Sequence, residues 1–441
     1  MGESATMTAL RKCILVLLDG LADRAQVSLG GLTPLQAAAT PNLDRLATEG
    51  VCGYFHALSP GQALSSEAAH FFMMGYAPEE FPGRGYLEAL GEELAFGPDD
   101  ILLLAHLARC RPQDGRLVLR EKKPLLPEGE AQEFFRAVHS YQSSEGSARL
   151  ERTKGSSGVL ILSGGALTAS ITDSDPMHPG LPLMEPLPWE GAESDPAALH
   201  CCSLLRAYLG WAHARLAAHP RNAGAAAPVN AVITQRAGRT PNISTLQERW
   251  GLKALSISSA PIYRGVFRAL GAQAEVVAEA TDPAQDLAAK LVLAGERLDE
   301  FDLIHVHSKA PDEAGHKKDP GLKRRVIAAL DQGLGQGLEA LAGRDILLVV
   351  TGDHATACSG DMVHSGEPSP LLLWGPGVWR DQATTFDETR CAQGALGLLR
   401  GPELMHTILN GLDRGKLWGL RDNPRDLPYY PAARRALRLE D

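Results

Sequence analysis

Residues 345–370 read DILLVVTGDHATACSGDMVHSGEPSP and set an acid beside an imidazole at the end of an apolar run. The run 346–350 is short, continuous and partly β-branched, the pattern of a strand buried on both faces of a parallel sheet. Asp353 and His354 come just after it, and His364 lies ten residues beyond His354 in a loop rich in Gly, Ser and Pro. Such a loop excludes regular structure. Carboxylate oxygens and imidazole nitrogens form a mixed donor set that both Zn²⁺ and Mn²⁺ accept. Taken alone, the stretch fits an ordinary strand with a polar loop equally well. The chain repeats the arrangement elsewhere.

A second apolar run, 12–18, ends on Asp19 and Gly20. A third, 302–307, leads into Lys309, then Asp312 and His316, four apart and so on one face of a helical turn. Gly61, Ser65 and Ser66 precede a short helical run with Glu67 in its first turn. A serine there is usually a helix cap, but a helix N-terminus also stabilises a phosphoryl group through its free N–H groups. Asp19, Ser66, Asp312, His316, Asp353, His354 and His364 divide into two sets of three or four metal donors. Two adjacent metals clamp the attacking and leaving oxygens of phosphoryl transfer. A serine among such donors is better explained as a nucleophile than as a cap.

The elements that must carry these residues keep a strand–helix rhythm. Helices are expected from Thr40-Pro41 to Gly50, over 261–270, 283–294 and 322–341, and strands over 252–257 and 274–277. That alternation implies a mainly parallel sheet covered on both faces. Between about 91 and 249 the texture changes to shorter pieces, with a hairpin expected over 159–172 turning at Gly164-Gly165, no clear period over 120–135, and a long helix over 195–218. The domain expectation is therefore a discontinuous core, 1–90 with 250–441, carrying an inserted domain, 91–249. The final stretch from Asn423 is expected to be a surface extension.

Composition narrows the function further. A formal charge of −10 argues against a general nucleic-acid binder, which needs a basic face. Seven cysteines without CxxC spacing fit reduced thiols better than a disulfide framework or zinc ribbon. Residues 1–13 contain no apolar leader, and no run is long enough to span a membrane, so a cytoplasmic enzyme without a membrane partner is expected. The sequence carries no marker of oligomeric state.

With these residues in place, the sequence resembles the alkaline phosphatase superfamily of metalloenzymes, and within it the cofactor-independent phosphoglycerate mutases of archaeal type. The resemblance rests on LLDGLADR, TPLQAAATPNLDRLATEG, the Ser66-Glu67-Ala68-Ala69-His70 segment, GRGYLEALG, HSKAPDEAGH and VVTGDHATACSGDMVHSGEPSP, in that order across the core. It implies an alkaline-phosphatase-like α/β fold with an inserted smaller α+β domain that covers the substrate. It also implies two divalent ions, Mn²⁺ first and Zn²⁺, Co²⁺ or Mg²⁺ as alternatives. Asp19, Ser66, Asp353 and His354 would hold one, and Asp312, His316 and His364 the other, with Ser66 transiently phosphorylated. The implied substrate is a small phosphorylated metabolite, 3- or 2-phosphoglycerate, with another phosphorylated or phosphonate metabolite as the alternative. Asp173 or Asp175 would serve as general base, and Arg236, Arg239, Arg264 and Lys309 would hold anionic groups.

Several segments depart from the family pattern. An arginine-rich run is replaced by Leu119-Arg120-Glu121-Lys122-Lys123-Pro124, and an arginine is displaced by one position to Arg236. A lysine appears as Arg264, and Met177 is an extra residue before His178. Arg and Lys are not equivalent where a bidentate grip is needed.

Overall fold

The computed structural model describes residues 11–435 and 437–438. The chain forms two compact units, 1–81 with 243–441, and 82–242. In chain order the first begins with β1 (Lys12–Leu18), α1 (Pro41–Glu49), β2 (Val51–Phe55) and α2 (Ser66–Met73). The second supplies α3 (Arg84–Gly91), β3 (Ile101–Gln113), β4 (Arg116–Lys122), α4 (Glu128–Ala137), β5 (Ser140–Ser143), β6 (Gly146–Arg152), β7 (Ser157–Ser163), α5 (Pro196–Ala217) and β8 (Val229–Gly238). The first resumes with α6 (Leu246–Trp250), β9 (Ala254–Ser258), α7 (Pro261–Ala269), β10 (Gln273–Val276), α8 (Pro283–Arg297), β11 (Leu303–Ser308), α9 (Ala310–His316) and α10 (Pro320–Ala340). It ends with β12 (Ile346–Thr351), β13 (Ser369–Trp374), α11 (Glu388–Cys391), β14 (Leu398–Leu399) and α12 (Gly401–Gly411).

Among the described residues the first unit holds one sheet, ordered β10-β9-β11-β1-β12-β13-β2-β14. Strands β10, β9, β11, β1 and β12 run parallel, and β13 is antiparallel to both β12 and β2. The central strands are buried nearly throughout, which explains why they read as unbroken apolar runs. Leu17 of β1 lies beside His307 of β11 on one side and Thr351 of β12 on the other. The three carboxyl ends are therefore level, and the polar residues beyond them share one edge.

Helix α1 is started by a distant residue. Thr40 occupies the N-cap position but makes no side-chain cap bond. Asp331 of α10 instead accepts from Leu43 N at 2.8 Å and Asn42 N at 3.2 Å. This ties helix α1 to helix α10 through two of the amides that a helix start leaves free.

In the second unit β3 pairs with β4 and β7 along one edge and with β8 along the other. Its core gathers Leu103, Phe134, Leu160 and Tyr208. The unit starts at Pro82 because α3 belongs to it: a Cβ on Gly85 would lie 2.0 Å from the carbonyl of Leu102. The stretch 120–135, without a clear period in sequence, contains the end of β4 and most of α4. The hairpin expected over 159–172 does not form. Strand β7 ends at Ser163 and pairs with β3 and β6. A Cβ on Gly164 would stand 2.8 Å from Gly146 Cα, and one on Gly165 2.9 Å from the His200 ring. These glycines permit close approach and do not turn a hairpin.

Candidate active site

At the carboxyl edge of the first unit's sheet, Asp19 comes after β1, Lys309 after β11, and Asp353 and His354 after β12. Helix α9 carries Asp312 and His316, and the return from β12 to β13 carries His364. Ser66 is the first residue of α2, with Ser65 as its N-cap. The Ser66 hydroxyl is not spent on capping. Its Oγ lies 3.0 Å from Nε2 of His354.

Two carboxylates facing that nitrogen each have one oxygen tied and one open. Asp19 Oδ2 accepts from the hydroxyl of Tyr263 at 2.5 Å, with His307 Nε2 at 3.2 Å and Lys309 Nζ at 3.4 Å. Asp353 Oδ1 accepts from the backbone N–H groups of Gly20 at 3.1 Å and His354 at 2.9 Å. The other oxygens, Asp19 Oδ1 and Asp353 Oδ2, are buried without a hydrogen-bond donor, and each stands 3.3 Å from His354 Nε2. Crowding buried acceptors with no donor is costly, and a cation relieves it. Asp19, Asp353 and His354 converge closely enough to hold one ion, and Ser66 Oγ adds a fourth donor.

Asp312 anchors a second set. Its Oδ1 lies 3.2 Å from His316 Nε2 and 3.5 Å from His364 Nε2. Nδ1 of His364 is 2.6 Å from the Leu64 carbonyl, so it carries the ring proton and leaves Nε2 as a donor to metal. Asp312, His354 and His364 likewise meet the spacing of a metal site. The two groups share His354, and their carboxylate and imidazole donors fit divalent cations.

Charges in this pocket are mutually stabilised. Burial works against ionised Asp19, but Lys309 and His307 outweigh it and hold the carboxyl well below the usual range. Burial likewise opposes Asp312, while His316, His364 and Lys309 bring it far down. Lys309 donates to Asp312 Oδ2 at 3.0 Å and Tyr263 Oη at 3.2 Å, and the two carboxylates raise it despite burial. Burial depresses His354 and takes His307 down to about 4, so both rings are neutral near pH 7.

Sequence reasoning missed Tyr263 and His307. Tyr263 is fully buried on α7, and its ring centroid lies 3.9 Å from that of His307. The amphipathic pattern of α7 indicates its burial but not its bond to Asp19. Arg264, the next residue, is half-buried.

The second unit gathers Asp173, Asp175 and Arg236. Asp173 Oδ1 accepts from Arg236 N at 2.6 Å, and Ser174 N donates to Thr234 O at 3.0 Å, fixing this segment along β8. Burial raises Asp173, against the opposing Arg236 N–H. Asp175 is buried and ion-paired with Lys122. The extra residue Met177 takes a left-handed φ of 68°, and His178 beyond it is exposed. Arg236 is exposed, with φ 52°, and Arg239 is exposed beyond the end of β8. Burial and the nearby Lys123, Lys122, Arg84 and Arg236 push His106 down to about 2. Arg84, Lys122 and Lys123 thus join a basic cluster whose members are scattered in sequence.

The family model of the metalloenzyme superfamily matches residues 11–411. A 2,3-bisphosphoglycerate-independent phosphoglycerate mutase of Methanocaldococcus jannaschii is 35% identical over 435 residues, covering 95% of this chain and 97% of its own. Its counterpart from Thermococcus kodakarensis is 34% identical, covering 93% and 99%. Among solved structures, a Pyrococcus horikoshii protein superposes with a TM-score of 0.77 at 28% identity, covering 94% of this chain and 100% of its own. The cofactor-independent phosphoglycerate mutase of Thermoplasma acidophilum gives 0.64 at 28% identity, covering 91% and 99%. With a superfamily match across both units and curated relatives at this identity over nearly their whole length, the chain belongs to the cofactor-independent phosphoglycerate mutase family of metalloenzymes.

Proposed function

We propose that the protein interconverts 3-phosphoglycerate and 2-phosphoglycerate through a phosphoserine at Ser66. The observation that carries this reading is the Ser66 hydroxyl, 3.0 Å from His354 Nε2 beside two open carboxylate oxygens. Two divalent ions, Mn²⁺ first with Zn²⁺, Co²⁺ or Mg²⁺ as alternatives, would be held by Asp19, Ser66, Asp353 and His354 and by Asp312, His316 and His364. When bound, they supply charge for the phosphoryl oxygens and lower the pKa of the serine hydroxyl.

Ser66 Oγ attacks phosphorus, and the bond to the glycerate oxygen breaks. The freed hydroxyl takes a proton, glycerate reorients, and its other hydroxyl attacks the phosphoserine as it loses one. We assign that proton exchange to Asp173, because Asp175 is committed to Lys122. A phosphoryl group on Ser66 would sit at the N-terminus of α2, where helix amides stabilise negative charge. Arg236, Arg239 and Arg264 hold the substrate's anionic groups, assisted by Arg84, Lys122 and Lys123. Lys309 balances the two aspartates of the centre itself. Water must be kept out while glycerate reorients, and that task falls to the inserted unit. Seven buried, unpaired cysteines support a reducing, cytoplasmic setting.

The test incubates Mn²⁺-loaded enzyme with phosphorus-labelled 3-phosphoglycerate and separates the products. Label in 2-phosphoglycerate, and on Ser66 after acid quench, is expected; Ser66→Ala should show neither. Label appearing only as free phosphate would make the protein a hydrolase, and turnover by Ser66→Ala at a tenth of the native rate would remove the phosphoserine.

A further inference from the structure

Thr356 stands between the two donor sets. It is fully buried, and its Oγ1 lies 2.7 Å from Asp312 Oδ1 and 3.3 Å from His354 Nδ1. Its backbone is pinned at both ends: the N–H donates to Ala22 O at 3.2 Å, and the carbonyl accepts from Lys323 Nζ at 2.8 Å. Two glycines make the space it fills. A Cβ on Gly20 would stand 2.4 Å from Oγ1, and one on Gly315 would stand 2.7 Å from Cγ2. A β-branched side chain confined in this way holds one rotamer.

Proton counting then assigns every hydrogen. The hydroxyl has one proton, and the Asp312 carboxylate can only accept, so O–H points to Asp312. The hydroxyl oxygen accepts in turn from Nδ1–H of His354. That places the imidazole proton on Nδ1 and leaves the Nε2 lone pair facing Ser66, Asp19 and Asp353 at 3.0, 3.3 and 3.3 Å.

We propose that Thr356 is a positioning residue that joins the two metal sites. Through one hydroxyl it fixes the tautomer of His354 in one set and the orientation of Asp312 in the other. An ion that orders either partner therefore favours binding of the second ion. This inference rests on the two-ion reading above.

The experiment titrates metal-free protein with Mn²⁺ by calorimetry and follows spin coupling between the ions by electron paramagnetic resonance. Native protein should bind two ions with positive coupling. Thr356→Val keeps the shape but removes the hydroxyl, and should lose about tenfold to a hundredfold in affinity at both sites, with the coupling abolished. Thr356→Ser should restore most of both. Tyr263→Phe, whose hydroxyl donates to Asp19 and bonds to no ligand of the other set, should weaken the Asp19 site more than the Asp312 site. Native affinities in Thr356→Val, or loss at a single site, would overturn the bridge. Fewer than two ions in native protein would instead overturn the two-ion reading. Should the valine variant not fold, nitrogen-resolved NMR of the histidines in native metal-free protein decides: His354 must be the Nδ1–H tautomer, and the Nε2–H tautomer rejects the proposal.

Discussion

Nζ of Lys323 lies 3.2 Å from Oδ2 of Asp23, and neither side chain has any exposed surface. The ammonium also donates to the carbonyls of Ala22 and Thr356 at 3.0 and 2.8 Å. The carboxylate collects the N–H groups of Arg24 and Cys358 and the amide of Gln26. Helix α10 thus clamps the loop after Asp19 to the loop after His354. Lys323→Met would strand a buried carboxylate, and about 3–5 kcal/mol should be lost. Urea unfolding measures this, and adding Asp23→Asn should recover part of it. A loss below about 1 kcal/mol, the range of an exposed pair, would mean that the pair holds nothing.

Two glycines with left-handed backbones provide a second comparison. Gly20 has φ 64° and, given a Cβ, would collide with Thr356 and with Asp312 Cα at 2.9 Å. Gly30 has φ 69° with nothing within 4 Å of that position. Gly30→Ala should cost only the backbone penalty, about 1–2 kcal/mol. Gly20→Ala should cost distinctly more and abolish metal retention. Thermal unfolding and bound-metal analysis of both variants separate the two cases, and equal losses would dismiss the steric argument.

Glu388 gives a pH dependence of known sign. It is buried, Oε2 accepts from Thr33 Oγ1 at 2.6 Å, and burial raises its carboxyl to about 7 despite that bond. A folded value above the unfolded one favours the folded state most below about pH 4.5 and loses that advantage as pH rises through 7. Glu388→Gln removes this titration, so relative to native protein it should gain on the order of 2–3 kcal/mol between about pH 4.5 and 8. Unfolding curves that run parallel across that range would reject the assignment.

Arg264 tests the altered substrate shell. If it grips an anionic group from α7, Arg264→Ala should cost roughly 2–4 kcal/mol in kcat/KM, as removal of one preorganised donor does. Arg264→Lys should keep more activity where a point charge suffices, and little more where the bidentate fork is required. Native kinetics in both variants would remove Arg264 from the site.

The strand-tip residues were legible because strands buried on both faces produce apolar runs, and the polar residues after each run are left at one sheet edge. Ser66 was legible from its place at a helix start among other donors. Tyr263, His307 and Thr356 were not, because each acts through a contact with a residue far away in sequence. Tyr263 meets Asp19 across 244 positions. Likewise, Gly164-Gly165 looks like a turn locally, and only the position of His200 on α5 shows why glycine is needed there. The basic cluster was hidden for the same reason, with Arg84 in a helix and Lys122 and Lys123 at a strand end.

Such distances also order events during synthesis. Ser66 and its partner His354 are separated by 288 positions, so at ribosomal rates of about 5–20 residues per second the serine waits roughly 15–60 s for its imidazole. Strand β1 waits somewhat longer for β12, one of its two flanking strands, and its apolar face needs shelter in the interval. Neither proposed donor set is complete on a nascent chain before His354 and His364 have been made. Any truncation before β12 removes Asp353, His354 and His364 together, so such incomplete chains should be inert toward phosphorylated metabolites.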